Sequence, residues 1–200
     1  MKAIEFSTIF NQSISNYHLL DNVHQPIQNS YEKDSFSYFL YQKNWIDTVQ
    51  WHYEDLIRNP QIEPAEALLI KRKIDQLNQQ RTDLVEQIDD FFYSSFHQVS
   101  QQENAVLNTE SPAWAIDRLS ILCLKIYHMR VEVNRKDSSE DQIAACTSKL
   151  QILEQQFIDL TTAIDQLLEE YATGKKFMKV YRQVKMYNDP NLNPVLYTKR

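Results

Sequence analysis

From Ala67 to Phe91 the apolar positions Ala67, Ile70, Ile74, Leu77, Leu84, Ile88 and Phe91, with Arg81 in the series, step by 3-4-3-4-3-4-3. That spacing keeps one face of an α-helix turned to a partner for about three and a half heptads. Pro64 opens this helix in a first turn rich in acids, and no breaker interrupts it until about residue 98, so it spans roughly 50 Å. A second seam runs through Ile143, Cys146, Leu150, Leu153, Phe157, Leu160, Ile164, Leu167 and Tyr171 and ends at Gly174, a left-handed cap. Between them, Ser111-Pro112 starts a helix whose segment 116–129 is apolar almost all round, which predicts the most buried helix of the set.

Shorter amphipathic patterns cover residues 2–20, with Ile4, Phe6, Ile9, Phe10, Ile14, Tyr17 and Leu19, and residues 35–58, ending at Asn59-Pro60. Residues 21–34, 98–110 and 134–139 are polar and turn-rich. Phe177, Val180, Tyr181 and Val184 predict one more helix, strongly basic, ahead of a turn-forming run. The expected architecture is all-α: an elongated antiparallel helical bundle with two long heptad-patterned helices and shorter N- and C-terminal helices. Residues 1–200 form a single domain, with 174–200 a basic helix and tail docked on the bundle.

Composition narrows the chemistry. The chain has one glycine, where average usage over 200 residues gives about 14. Phosphate-cradling loops, dinucleotide fingerprints and nucleophile elbows all need glycine for close backbone approach or positive φ, so they are excluded. A net charge of −6 argues against specific nucleic-acid binding. The charge is uneven: residues 174–200 hold seven basic side chains against Asp189, leaving the tail at +6 and the rest at −12. Cys123 and Cys146 fall in helical apolar patterns and read as free thiols of a reducing compartment. A charge inside the first six residues is unlike a signal sequence, and no apolar run reaches membrane-spanning length, so the expected location is cytoplasmic.

Arg81 is the sharpest anomaly, a guanidinium on an apolar seam. It must reach an acid of the fourth helix such as Asp117, a route to solvent, or a bound anion. Asn78 lies on its side of the helix. On the fourth helix Asp117, Arg118, Lys125, His128 and Glu132 share an arc of about 100°. That stripe is either a solvent face or the wall of a polar cleft in which Arg and Lys hold a phosphate or carboxylate. His52 and Asp55, at i and i+3, resemble half a metal site. The missing ligands and the alignment of His52 with Trp45, Val49 and Leu56 favour a core histidine, so no metal and no cofactor is expected. Glu63/Glu66 and Glu86/Asp89 match the acidic string of all-α nucleotide pyrophosphohydrolases. One continuous helix, however, separates the two halves by about 30 Å.

Four stretches, 44–52 (Asn-Trp-Ile-Asp-Thr-Val-Gln-Trp-His), 81–86 (Arg-Thr-Asp-Leu-Val-Glu), 108–121 (Asn-Thr-Glu-Ser-Pro-Ala-Trp-Ala-Ile-Asp-Arg-Leu-Ser-Ile) and 185–190 (Lys-Met-Tyr-Asn-Asp-Pro), resemble the bacterial family called domain of unknown function 4254. The resemblance covers nearly the whole chain. It implies a helical cytosolic protein of a family encoded near glycosyltransferases of surface-polysaccharide synthesis, and it offers no catalytic residues to carry over. Two functions follow as expectations. The first is a non-enzymatic scaffold or adaptor, meeting a protein partner or a second copy of itself and linked to envelope polysaccharide synthesis. The second is a binder of, or enzyme on, a phosphorylated or nucleotide-linked sugar. There Arg81, Arg118 and Lys125 would hold the anion, and His52 or His128 would act as acid or base.

Overall fold

The computed structural model describes residues 1–183, 186 and 189–197. The fold is all-α: α1 (Ala3–Tyr17), α2 (Phe36–Leu56), α3 (Pro64–Phe96), α4 (Pro112–Val133), α5 (Glu140–Ala172) and a final turn, α6 (Pro194–Tyr197). Their boundaries follow local chemistry. The Ser35 hydroxyl accepts from the Tyr38 N–H to start α2, and Ser139 with Gln142 forms the capping box of α5. Proline occupies the first turns of α3 and α4, where its missing N–H costs nothing. Gly174 closes α5 at φ +72°. No helix among the described residues is long and apolar enough to cross a membrane.

Two apolar clusters fill the interior. One joins Phe6, Phe10 and Ile14 of α1 to Val85, Ile88 and Phe92 of α3, Ile116, Leu119 and Leu124 of α4, and Ile164 and Leu168 of α5. The other sets Tyr17 and α2 residues Tyr41, Trp45, Val49 and Tyr53 against Ile70, Ile74, Leu77 and Leu84. The α3 seam therefore serves both clusters and passes between them near Arg81. Helix α2 is buried all round from Lys43 to Val49, and α4 is buried at most positions from Pro112 to Ile126, with Arg118 and Lys125 left exposed.

Three expectations need correction. Phe177, Val180 and Tyr181 do not lie on a helix. Lys176–Phe177 (β2) pairs in parallel with Val106–Leu107 (β1), and 178–183 have no regular secondary structure; Val184 lies outside the described residues. Eight residues are too few to hold a helix without burying a face. Here the backbone at Gly174 and Lys175 is engaged instead by the Gln102 and Val106 N–H groups. Arg182 pairs with Glu86 and Asp90 of α3. Secondly, Ile4 and Leu19 are exposed, and Ser7 and Ser13 take buried positions on α1, where small side chains allow close helix contact. Thirdly, the α5 seam is fully buried only near its end, at Ile164, Leu168 and Tyr171, because no further helix covers the half that packs on the exposed end of α4.

A side chain at Gly174 would combine left-handed strain with a Cβ 2.2 Å from the Ser100 carbonyl oxygen. Gly174→Ala should therefore lower stability by at least about 1–2 kcal/mol, read as a lower urea midpoint with an unchanged slope.

Candidate functional site

Where α2, α3 and α4 meet, four charges are enclosed together. Lys43, fully buried at 0% exposure, places Nζ 2.5 Å from Asp47 Oδ2 and 2.8 Å from Asp117 Oδ1. Arg81, with 29% of its side chain exposed, forks onto Asp117, Nε to Oδ1 at 2.8 Å and Nη2 to Oδ2 at 2.5 Å. Its Nε also lies 3.3 Å from Asp47 Oδ1. The Ser120 hydroxyl donates to Asp47 Oδ2 at 2.6 Å, and Asn44 Nδ2 donates to Ser120 Oγ at 2.9 Å. Two cations and two anions thus neutralise one another, with charge-assisted hydrogen bonds offsetting their desolvation. Burial pushes the Asp117 carboxyl up, but the pull of Lys43 and Arg81 outweighs it and holds the group below the ordinary carboxylate range. At the fully enclosed Asp47, burial is the larger influence.

The other residues singled out from the sequence divide between surroundings. Asn78 accepts from Gln50 Nε2 at 3.0 Å, joining α3 to α2. Arg118 is exposed and paired with Glu110 at 2.7 Å. Lys125 is also exposed, and with Arg81, Arg118 and Asp117 it borders a depression of about 600 Å³ between α4 and α5. Asp55 lies with Arg81, Gln50 and Trp51 on a separate depression of about 330 Å³. The stripe on α4 is therefore part buried network, part open surface.

His52 and His128 come together, and the fold adds His18 from the end of α1. Ligating atoms of the three imidazoles lie within 4.8 Å of one another; the Nε2 atoms of His18 and His52 are 3.3 Å apart. His18 Nδ1 donates to the Ile14 carbonyl at 2.7 Å, which leaves its Nε2 lone pair facing the cluster. His128 Nε2 is buried without a hydrogen-bond partner among the described residues. Asp21 Oδ1 stands 3.6 Å from His52 Nε2 and 4.0 Å from His18 Nε2; its backbone is left-handed, at φ +47°. Aromatic rings fix the imidazoles: Tyr17 stacks on His52, Trp51 on His128, and Tyr127 tilts against His18. Burial, reinforced by the neighbouring histidines, pushes His128 down to about 4. Burial also lowers His52, against the opposing influence of Asp21. Both rings are therefore neutral at pH 7.

Lys43, Asp47, His18 and Asp21 were not among the residues the sequence singled out. Lys43 and Asp47 carry a signal in retrospect, an i,i+4 ion pair inside a helix segment that buries every side. His18 and Asp21 carry none, since only the loop after α1 brings them to α2 and α4.

Removing one member of the quartet leaves an uncompensated buried charge. Lys43→Met should cost about 3–5 kcal/mol. Lys43→Met/Asp47→Leu, which restores neutrality, should recover at least half of that loss in urea unfolding.

Comparison with curated proteins gives no match, and comparison with solved structures gives none. One family model matches, over residues 37–180. That span takes in the whole charge quartet, His52 and His128, while His18 and Asp21 precede it. With well over half of its length matched, the chain belongs to the family described as Protein of unknown function (DUF4254).

Proposed function

We propose that the protein is a non-enzymatic helical scaffold or adaptor whose outer α4–α5 surface receives a helix of a partner protein. One observation carries this reading. Val131 and Ile152, 49% and 59% exposed, stand with Met129, Leu153 and Trp51 around an apolar groove of about 620 Å³. Lys125, Lys149, Asp55 and Glu132 border the same groove. An apolar floor with a mixed-charge rim suits the apolar face of an amphipathic helix with charged flanks. The charge quartet supports the same view, because its charges are directed at one another. The surface-polysaccharide setting implied by the family resemblance makes a protein of glycan synthesis the partner to test.

A photo-crosslinking residue at Lys149 in the native host should trap such a protein. The complex should re-form from the two purified chains and weaken at least about tenfold in Val131→Asp/Ile152→Asp with its melting temperature kept. Self-crosslinking alone, with concentration-dependent sedimentation, would replace the partner by a second copy. An unweakened complex in the variant would overturn the role of the groove.

The second reading, a binder of phosphorylated or nucleotide-linked sugars, is favoured by the depression that Arg81, Arg118 and Lys125 share. Glucose 1-phosphate or uridine diphosphate glucose at a hundredfold excess over Kd should then raise the melting temperature by about 5 °C or more. The rise should vanish in Arg118→Ala/Lys125→Ala. A flat response leaves the adaptor reading ahead.

A further inference from the structure

The three histidines do something that neither the charge quartet nor the α4–α5 groove requires. Nitrogen atoms from α2, α4 and the residue that follows α1 converge, and simple hydrogen bonding does not satisfy them. His18 Nε2 is an acceptor, because its Nδ1–H is committed to the Ile14 carbonyl. One N–H from His52 could bridge the 3.3 Å gap to it, but His128 Nε2 is then still buried without a partner among the described residues. The Asp21 carboxylate of the following loop stands 3.6 Å from His52 Nε2 and 4.0 Å from His18 Nε2.

The geometry points to a divalent transition-metal site of the zinc class, formed by His18, His52, His128 and the carboxylate of Asp21. Three imidazoles and a carboxylate are the N/O donor set that such ions take in four-coordinate sites. Metal–nitrogen bonds of ~2.0–2.1 Å at tetrahedral angles set neighbouring ligand atoms about 3.3–3.4 Å apart. The His18–His52 separation of 3.3 Å already meets that value. The wider separations, up to 4.8 Å among the imidazoles, close by side-chain rotation around an ion.

The outer shell has the form that metal-binding histidines need. The Ile14 carbonyl fixes the His18 tautomer. Rings of Tyr17 and Trp51 stack on His52 and His128, and Tyr127 packs at a tilt against His18. With all four protein ligands engaged the coordination shell is closed, which is the arrangement of a structural ion rather than a catalytic one. Such an ion would tie the end of α1 and its following loop to α2 and α4. His128 also lines the α4–α5 groove, but the inference rests on the convergence of the imidazoles and not on a partner.

The test uses the full chain, stripped with chelator and dialysed at pH 7.5, then titrated with Zn²⁺ against a chromophoric competitor. One equivalent should bind, with a melting-temperature rise of about 5 °C or more at a hundredfold excess over Kd. Co²⁺ should give the intense visible bands of a four-coordinate ion. His18→Ala, at the rim of the fold, should weaken Zn²⁺ binding at least ~100-fold. Asp21→Asn should alter the Co²⁺ spectrum and weaken binding less. His24→Ala, an exposed loop histidine, should change neither. Absence of stoichiometric Zn²⁺ and Co²⁺ binding to the wild-type chain would overturn the site and leave a hydrogen-bonded histidine cluster. So would binding that persists unchanged in both His18→Ala and the milder His52→Gln.

Discussion

The mutual neutralisation of Lys43, Asp47, Arg81 and Asp117 constrains everything around it. Lys43 is fully enclosed and Asp47 and Asp117 nearly so, so each carboxylate needs its cations at contact distance. A slide of α3 by one turn would carry Arg81 about 5.4 Å along the axis. Asp117 would then lose its fork, and two carboxylates would share one ammonium in a poorly solvated space. The quartet thereby selects one alignment of α2, α3 and α4 among the several that heptad-spaced apolar side chains alone would tolerate.

That alignment explains how the interior divides. Arg81 stands where the α3 seam passes from the cluster around Trp45 and Ile74 to the one around Phe10 and Ile88. Helices α1 and α4 join the second cluster and close it from the other side. The last turn of α4 and the first half of α5 extend past this core, and their apolar side chains are only partly covered. Apolar residues such as Val131 and Ile152 are consequently left at the surface. At the other end of α5, ladder hydrogen bonds from the Gln102 and Val106 N–H groups hold the chain after Gly174 beside the 100–107 loop. The basic segment is fixed as an extended strap, with Arg182 against Glu86 and Asp90.

The histidine cluster is built on this frame rather than within it. His52 and His128 come from helices whose relative position the quartet sets. His18 and Asp21 come from the point where α1 ends and its chain turns back. A left-handed aspartate at that turn, which aspartate tolerates better than most residues, directs its carboxylate to the imidazoles. Nothing in the apolar packing demands three histidines there, and His128 Nε2 is buried with no hydrogen-bond partner among the described residues. A buried nitrogen of that kind calls for a specific explanation.

Local sequence determined the helices, because their information is short-range: apolar spacing of three and four, prolines at helix starts, a serine cap at 35 and 139, and a glycine at 174. It also determined that Arg81 needed a partner, since a guanidinium on an apolar seam is costly unless paired, and it offered Asp117, on the helix with the apolar segment 116–129, as one such partner. Tertiary structure alone decided the rest. Lys43 and Asp47 look like an ordinary surface i,i+4 pair until α1, α3 and α4 cover α2 on every side. The basic tail has a helical pattern, yet pairing with β1, more than 60 residues distant in sequence, outweighs so short a helix. His18 is 34 residues from His52 and 110 from His128, a separation that no periodicity encodes. Their meeting depends on where a loop places the end of α1, and that position follows from the packing of three helices rather than from any residue near them.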